Sequence, residues 1–163
     1  MIKMNRKLEY ALMVLKLMKE KDQNELTTAR EVCDRFLTPF DTTSKVMQLM
    51  NSAKILQSHK GVKGGYTLAR NLSSVSYLEL SELIEGKSFM MDCHDRSAGS
   101  SGPCELYHTC NISQPVKRLN DYLLSIFQSL SLNELLDEDN LLAMKRMPVK
   151  KIDNCPLMVK AVT

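Results

Sequence analysis

The stretch ILQSHKGVKGGYTLAR, residues 55–70, decides the fold that the sequence predicts. Two short β-prone runs flank its centre, GVKGG, and a Gly-rich centre between such runs is typical of the tip of a β-hairpin. Positive charge lies on or near this hairpin, from His59, Lys60, Lys63 and Arg70. The sequence therefore predicts a basic hairpin, and the segments before it indicate what the hairpin belongs to.

Two short helices are predicted directly before the hairpin. The segment TTAREVCDRF, residues 27–36, opens with a capping box of Thr28 and Glu31 and has apolar residues at helical spacing. A turn at residues 37–41 leads to the segment TTSKVMQLMNSAKI, residues 42–55. The predicted apolar stripe of this second helix consists of Val46, Leu49, Met50 and Ala53. Two short helices joined by a tight turn indicate a helix-turn-helix, and the basic hairpin after it completes a winged helix-turn-helix.

Helices are also predicted on both sides of this unit. Apolar residues at helical spacing within residues 8–18 indicate an amphipathic first helix. A second capping box, Ser76 with Glu79, begins a helix that ends near Gly86. Residues 113–136 contain a long helix whose apolar side chains alternate in steps of three and four, which is typical of a seam that packs along another helix. After this helix, Ser131 with Glu134 predicts a short capped turn. The seam residues are Val116, Leu119, Leu123, Ile126 and Leu130. The predicted fold class is mainly α with a small β-hairpin.

Composition and charge narrow the possible functions. A net charge of +3 and a pI near 8.6 are compatible with nucleic-acid binding, although a charge this small does not argue for it alone. The charged N-terminal segment lacks the features of a signal peptide, and no apolar run has the length of a membrane span, so a cytoplasmic protein without membrane contact is predicted. No nucleophile–base pair, phosphate-binding loop or carboxylate pair is found, which predicts that the protein is not an enzyme.

Three of the five cysteines lie in one Gly-, Ser- and Pro-rich segment, CHDRSAGSSGPCELYHTC. In a reducing compartment such thiols indicate metal binding or redox chemistry before they indicate disulfides. Cys93, Cys104 and Cys110 would suit a zinc site completed by His94 or His108, and the same three thiols would suit an iron–sulfur cluster. The residues alone leave both possibilities open, together with a thiol switch that has no cofactor.

With these motifs, the chain resembles the winged-helix iron–sulfur transcription regulators, the family that includes IscR, the repressor of cluster biogenesis, and NsrR, the nitric-oxide sensor. The resemblance covers roughly residues 3–136 in the same element order. It is carried by LEYAL near the start, the helix at 42–54, the wing KGVKGGYTLAR, the helix ending in IEG, and three cysteines before a long helix that ends in SLNELL. The resemblance implies a homodimer, in which the long helix pairs with its twin, and a palindromic operator in double-stranded DNA.

The resemblance also implies an iron–sulfur cluster, 2Fe–2S or 4Fe–4S, held by the three cysteines and one further ligand, with zinc as the alternative cofactor. The gap of ten residues between the first two cysteines is longer than is usual in the family, so the cluster type is not carried over. The histidine that supplies the further ligand in IscR-like members is missing, because Ser113 stands near its place. In NsrR-like members an Asp on the first helix of the other subunit supplies it, and Glu9 occupies the equivalent position. Glu9 is therefore the favoured fourth ligand, with His94 and His108 as rivals.

DNA contacts are predicted from the second helix of the helix-turn-helix and from the wing. A recognition helix offers base-contacting side chains near its N-terminus, where Lys can donate to guanine and Gln can pair with adenine. The candidates on the helix are Thr42, Thr43, Ser44, Lys45 and Gln48. The candidates on the wing are His59, Lys60 and Lys63, which are expected on phosphates or in the minor groove. Family members with strong sequence preference often have Glu at the place of Ser44 and Arg at the place of Lys60, so their operators are not carried over.

The sequence thus predicts four parts. They are a winged helix-turn-helix domain at 1–86, a cysteine-rich cluster-binding loop at 87–112, a dimerisation helix at 113–136 and a mobile basic tail at 137–163. The predicted function is a DNA-binding transcription regulator whose DNA affinity is controlled by a cluster that senses redox state, nitric oxide or iron status. The alternative is a zinc-stabilised or cofactor-free winged-helix module, for DNA binding or protein interaction, without a sensing role.

Overall fold

The structure is a computed structural model that describes residues 4–22, 25–61, 64–86 and 109–137. Within these ranges the chain forms α-helices and one two-stranded antiparallel sheet. The elements are α1 (Arg6–Glu20), α2 (Ala29–Phe36), α3 (Phe40–Ser52), β1 (Leu56–His59), β2 (Gly65–Leu68), α4 (Tyr77–Glu85), α5 (Ser113–Ser129) and α6 (Leu132–Leu135). The order of helices and hairpin confirms the predicted fold class.

The hydrophobic core is built on one face of α1. Leu8 and Leu15, which belong to the predicted apolar face of this helix, are almost completely buried. α1 lies against α3 and α4, and the core continues through Met47 and Leu80 on those two helices. Each buried side chain of this size stabilises the fold by roughly 1.5–3 kcal/mol. The core therefore holds α3 firmly by one face and leaves its other face outside.

Local signals delimit the helix-turn-helix. The Thr28 hydroxyl accepts a hydrogen bond from the Glu31 N–H at 3.1 Å, which caps α2 as predicted. α3 begins at Phe40, before the predicted start at residue 42, because Pro39 supplies the extended backbone of the N-cap and its carbonyl accepts the Thr43 N–H. The first turn of α3 thus contains Phe40 and Asp41, which the sequence analysis assigned to the connection between the two helices.

The buried face of α3 differs from the predicted apolar stripe. Val46 and Met50 are buried as predicted, but Met47 is buried where the prediction had Leu49, which is 41% exposed. The prediction for Leu49 is wrong because Met47 and Leu49 both follow Val46 within one helical turn, and spacing alone does not decide which of them faces the core.

The end of α3 is a Schellman motif, in which two backbone hydrogen bonds close the last turn. The Ile55 N–H donates to the Met50 carbonyl at 2.9 Å, and the Lys54 N–H donates to the Asn51 carbonyl at 3.0 Å. Lys54 is left-handed, with φ 58°, at the position of the motif where glycine is usual. This turn joins α3 directly to the wing.

The wing is a β-hairpin, as predicted, and it is attached to the helix-turn-helix by backbone bonds. β1 and β2 pair with His59 opposite Gly65. The residue before the α2 cap extends this sheet, since Thr27 and Tyr66 exchange two N–H to carbonyl bonds of 2.9 Å. A Cβ at position 65 would lie 3.0 Å from the Thr27 carbonyl oxygen, which is why this close approach favours Gly65.

The segment assigned to the dimerisation helix, residues 113–136, consists of α5 and the short capped helix α6. Where they meet, the chain returns to the start of α4: the Tyr77 N–H donates to the Leu130 carbonyl at 2.8 Å, and the Leu132 N–H donates to the Val75 carbonyl at 2.9 Å. These bonds form an antiparallel bridge between the cap residues of α4 and α6. Leu132 is fully buried in the main core, so the C-terminal end of α5 is anchored to the winged domain.

Both cap residues of this bridge have the hydrogen bonds that the sequence predicted. The Ser76 hydroxyl accepts the Glu79 N–H at 3.1 Å, and the Ser131 hydroxyl accepts the Glu134 N–H at 3.2 Å. Glu134 completes a full capping box by accepting from the Ser131 hydroxyl and N–H, and these bonds lower the pKa of its carboxyl group. Most of the predicted cysteine-rich loop and almost all of the predicted tail lie outside the described residues.

Candidate nucleic-acid interface and cysteine segment

The face of α3 that points away from the core carries most of the predicted base-contacting residues. Lys45 and Gln48 are exposed, and Ser44 and Thr42 are partly exposed. The Gln48 side-chain amide donates to the Ser44 hydroxyl at 3.4 Å, so these two polar groups lie on one edge of the helix. Because α1 and α4 cover the opposite face, this outward face is what α3 can present to a DNA groove.

Thr43 is a correction to the predicted set. Its side chain is completely buried, and its hydroxyl donates to the Thr38 hydroxyl at 2.9 Å. The Thr38 hydroxyl in turn donates to the Cys33 sulfur at 3.6 Å. This chain of bonds connects α2, the turn and α3 internally. Thr43 therefore stabilises the helix-turn-helix turn and has no surface for a base.

The wing places its described cations at the surface. His59 and Lys60 are exposed, and one His59 ring nitrogen lies 2.9 Å from the Thr67 hydroxyl on the neighbouring strand. Lys63 lies outside the described residues. Arg70, which also contributes to the basic character of this stretch, is bound by Glu79 at 2.6 Å. The guanidinium of Arg70 thus links the wing to α4. Among the described residues of the wing, the exposed basic side chains are then Lys60 and the imidazole of His59.

The structure adds residues at the start of α3 that the sequence interpretation did not consider. Phe40 and Asp41 are both exposed in the first turn of this helix, and Leu37 before them is 91% exposed. They were missed because the helix was predicted to begin at residue 42. Pro39 was the available signal, since proline at a helix start favours a helix that begins directly after it.

Glu9, the favoured fourth ligand, lies on α1 and is partly buried. Its carboxylate forms an ion pair of 2.9 Å with Arg6, one turn earlier on the helix. The backbone N–H of Asn5, the N-cap of α1, donates to the Glu85 carboxylate at 2.9 Å. Glu85 is the last residue of α4, so the chain enters the predicted cysteine-rich loop beside the first turn of the helix that carries Glu9.

Cys110 is the one predicted thiol ligand among the described residues. Its side chain is partly exposed and forms no disulfide, and it lies just before the start of α5 at Ser113. Cys93, Cys104, His94 and His108 lie outside the described residues. In the described ranges no three His, Cys, Asp or Glu side chains come together as a metal site.

The predicted seam of α5 is mostly uncovered within one chain. Leu119 is 47% exposed, and Ile112 just before the helix is also exposed. Val116, Leu123 and Ile126 are each only partly buried. At the anchored end, Leu130 is buried. An apolar stripe of this kind on a long helix is suited to a second helix.

Comparison with known proteins identifies the fold and its family. The family model named Rrf2, described as an iron-dependent transcriptional regulator, matches residues 4–138. The chain belongs to the Rrf2 family. Rrf2 proteins are DNA-binding transcriptional regulators, so membership confirms the predicted resemblance and the predictions of DNA binding and of no enzymatic activity.

Three individual proteins illustrate the similarity. An rrf2-like HTH-type transcriptional regulator of Rhodobacter capsulatus is 29% identical over 140 residues, which is 82% of this chain and 92% of the relative. The HTH-type transcriptional regulator NsrR of Oceanobacillus iheyensis is 21% identical, over 88% of this chain and 95% of the relative. The solved structure of T. potens IscR shares the fold with a TM-score of 0.61 and 15% identity, covering 87% of this chain and 90% of that one.

Two further observations concern the oligomeric state and membrane spans. Rrf2 regulators typically dimerise, which agrees with the exposed seam of α5. Among the helices that the structure describes, none has the length and apolar character needed to cross a membrane.

Proposed function

We propose that this Rrf2 protein is a homodimeric DNA-binding regulator whose DNA affinity depends on an iron–sulfur cluster held by the cysteine-rich loop. The observation that carries the proposal is the position of Cys110. A partly exposed thiol without a disulfide lies at the start of α5, the helix whose apolar seam a single chain leaves uncovered. A ligand bound at this thiol therefore acts directly on the end of the dimerisation helix.

The DNA-binding surface in this proposal is the outward face of α3 together with the wing. The base-contacting candidates are Thr42, Ser44, Lys45 and Gln48, with Thr43 removed because it is buried. His59, Lys60 and Lys63 would contact phosphates. Two such surfaces in a dimer would bind two half-sites of a palindromic operator in double-stranded DNA.

The dimer interface in this proposal is the α5 seam. Leu119 lies near its middle and is 47% exposed, so covering its remaining surface contributes about half of the roughly 1.5–3 kcal/mol that full burial of a leucine gives. Several such side chains lie along one face, which suits the a/d packing of two antiparallel or parallel helices.

The residues present suit a cluster. Cys93, Cys104 and Cys110 would supply the thiolates, which are the soft ligands that iron–sulfur clusters require. Glu9, reaching from α1 of the other subunit as in NsrR-like members, would supply the fourth ligand. When bound, the cluster would supply a centre sensitive to oxidants, nitric oxide or iron supply. The cluster would act on the protein through Cys110, which lies just before α5, and a coupling of about 1–3 kcal/mol would change DNA affinity by about 5- to 150-fold.

The alternative is a zinc-stabilised or cofactor-free regulator. It is favoured by the two histidines inside the segment, His94 and His108, since a set of three Cys and one His is a common structural zinc site. In that case zinc, which has no redox chemistry, would stay bound in every redox state, and DNA affinity would not respond to redox state.

The test is purification of the full-length protein without oxygen, followed by metal analysis and DNA binding. We expect iron, sulfide and absorbance near ~400 nm, and a change in DNA affinity when the cluster is removed. Cys110→Ala should abolish both the iron content and the change in affinity. Cys155→Ala is the matched control, because Cys155 lies outside the cysteine-rich segment and should leave both unchanged. Colourless protein with bound zinc would support the alternative, and iron-free protein that binds DNA equally well without the three thiols would refute the cluster.

A further inference from the structure

Large apolar side chains are exposed at the turn of the helix-turn-helix. Leu37 is 91% exposed, Phe40 is 52% exposed, and Phe36 is also exposed. They surround the turn between α2 and α3 and contribute little to the core. Single exposed apolar residues are common on protein surfaces, but three of them within five positions form a patch that calls for a contact outside the chain.

Leu37 also has a backbone conformation that is unusual for a large side chain. It is the C-cap of α2 and takes a left-handed conformation with φ 55°. Glycine or asparagine is usual in this conformation, because a β-carbon is crowded there. A large apolar residue that is both left-handed and almost fully in water breaks two local rules at once, and such violations concentrate at functional sites.

The patch is continuous with the polar face of α3. Phe40 is the first residue of α3, and Ser44 follows it by one helical turn, so the two side chains lie on the same edge. Lys45 and Gln48 continue this outward face toward the C-terminal end of the helix. In a helix-turn-helix the N-terminal residues of the second helix are those that contact base edges, so Phe40 lies where direct base contact occurs.

The chemistry of the major groove selects the target of an apolar side chain. Phosphates, sugars and most base edges offer charge or hydrogen-bonding groups, whereas the C5-methyl group of thymine is an apolar feature that phenylalanine can contact. We propose that Phe40, supported by Leu37, contacts thymine methyl groups, so that each operator half-site carries thymine opposite the start of α3. This inference rests on the proposed role of α3 in DNA binding and adds to it the base class that its first turn selects.

The test is selection of binding sites from a randomised duplex pool by the full-length protein, prepared without oxygen. Wild-type protein should enrich thymine at a fixed place in each half-site. Replacement of that thymine by deoxyuridine, which lacks only the methyl group, should weaken binding by about fourfold per methyl. Phe40→Ala should lose both the enrichment and the difference between thymine and uracil. Leu49→Ala is the matched control, because Leu49 is similarly exposed on the same helix but lies far from its first turn.

The outcomes separate this inference from the proposed function. If wild-type protein selects a defined site but Phe40→Ala still distinguishes thymine from uracil, the inference is wrong and DNA binding by the family surface stands. The same conclusion follows if Phe40→Ala weakens binding to both bases equally, because the contact would then be with another group. If wild-type protein selects no duplex at all, the proposed function fails first and the inference fails with it.

Discussion

Replacement of Lys54 by glycine should stabilise the protein, although it removes a side chain. Lys54 occupies the left-handed position of the Schellman motif that ends α3, with φ 58°, and its side chain is exposed. A left-handed conformation costs a residue with a β-carbon about 1–2 kcal/mol, and glycine avoids this cost. Glycine also gains about 0.4–1 kcal/mol of conformational entropy in the unfolded chain, which opposes the benefit. The net expectation for Lys54→Gly is a gain of about 0.5–1 kcal/mol in the free energy of unfolding.

The assay is urea unfolding followed by circular dichroism at one fixed protein concentration, because a dimer has a concentration-dependent midpoint. With a slope of about 1–3 kcal/mol per molar urea, the midpoint should rise by about 0.2–1 M. Lys54→Ala is the matched control, since it removes the same charge and side chain but keeps the β-carbon. If Lys54→Gly unfolds at or below the midpoint of Lys54→Ala, the left-handed strain argument is refuted.

Four further variants test features of the structure and of the proposed function. Ser131→Ala should destabilise the protein by about 1 kcal/mol in urea unfolding, because it removes a helix cap. In the wild type, the lowered pKa of Glu134 gives a contribution that is present above the ordinary pKa of glutamate and is lost as pH falls through the folded value; unfolding of Ser131→Ala should depend less on pH in this acidic range. Leu119→Asp should shift the protein from dimer to monomer in native mass spectrometry, because it places a charge in the proposed seam. Lys60→Ala should weaken DNA binding and reduce the slope of log affinity against log salt by about 0.9 per subunit, or about 1.8 for the proposed dimer, since each subunit loses one phosphate contact. Glu9→Ala should speed the loss of the cluster absorbance in air, because the proposed fourth ligand is removed.

Each of these outcomes has a contradicting result. A pH profile of Ser131→Ala identical to that of the wild type would show that the Ser131–Glu134 bonds are absent in solution. A dimer that tolerates Leu119→Asp would place the interface elsewhere. An unchanged salt slope for Lys60→Ala would place that side chain away from phosphate, and unchanged cluster stability in Glu9→Ala would remove Glu9 from the ligand set.

Much of the fold could be predicted because its signals are local. The caps at Thr28 and Ser76 and the glycines of the wing act on residues within a few positions, and the structure has the corresponding hydrogen bonds and hairpin. The face of α3 was harder to predict. Thr43 is polar and was assigned to the surface, but it lies one turn before the buried Met47 and its hydroxyl has an internal acceptor in Thr38. Only the tertiary structure supplies that acceptor.

The arrangement of the proposed site was predictable only in part. The composition of the cysteine segment and the apolar period of α5 are properties of sequence, and Cys110 indeed lies just before that helix. The approach of Glu85 to the first turn of α1 could not be predicted, because it joins positions 80 residues apart through a single hydrogen bond. The exposed Leu37 and Phe40 were also missed, since an apolar residue near a turn gives no sign in the sequence that it faces solvent.

The bridge between the starts of α4 and α6 has a mechanical consequence. Main-chain bonds fix α4 to α5 at one end, where Tyr77 meets Leu130, and the stretch of sequence that contains the three thiols connects Glu85 at the end of α4 with Ser113 at the start of α5. A small change in the distance between Glu85 and Ser113 would therefore change the angle between α4 and α5, while the bridge at Tyr77 and Leu130 stays in place. Because α1 and α3 pack on α4, the angle of α5 would set the distance between the two α3 helices in the proposed dimer along its seam.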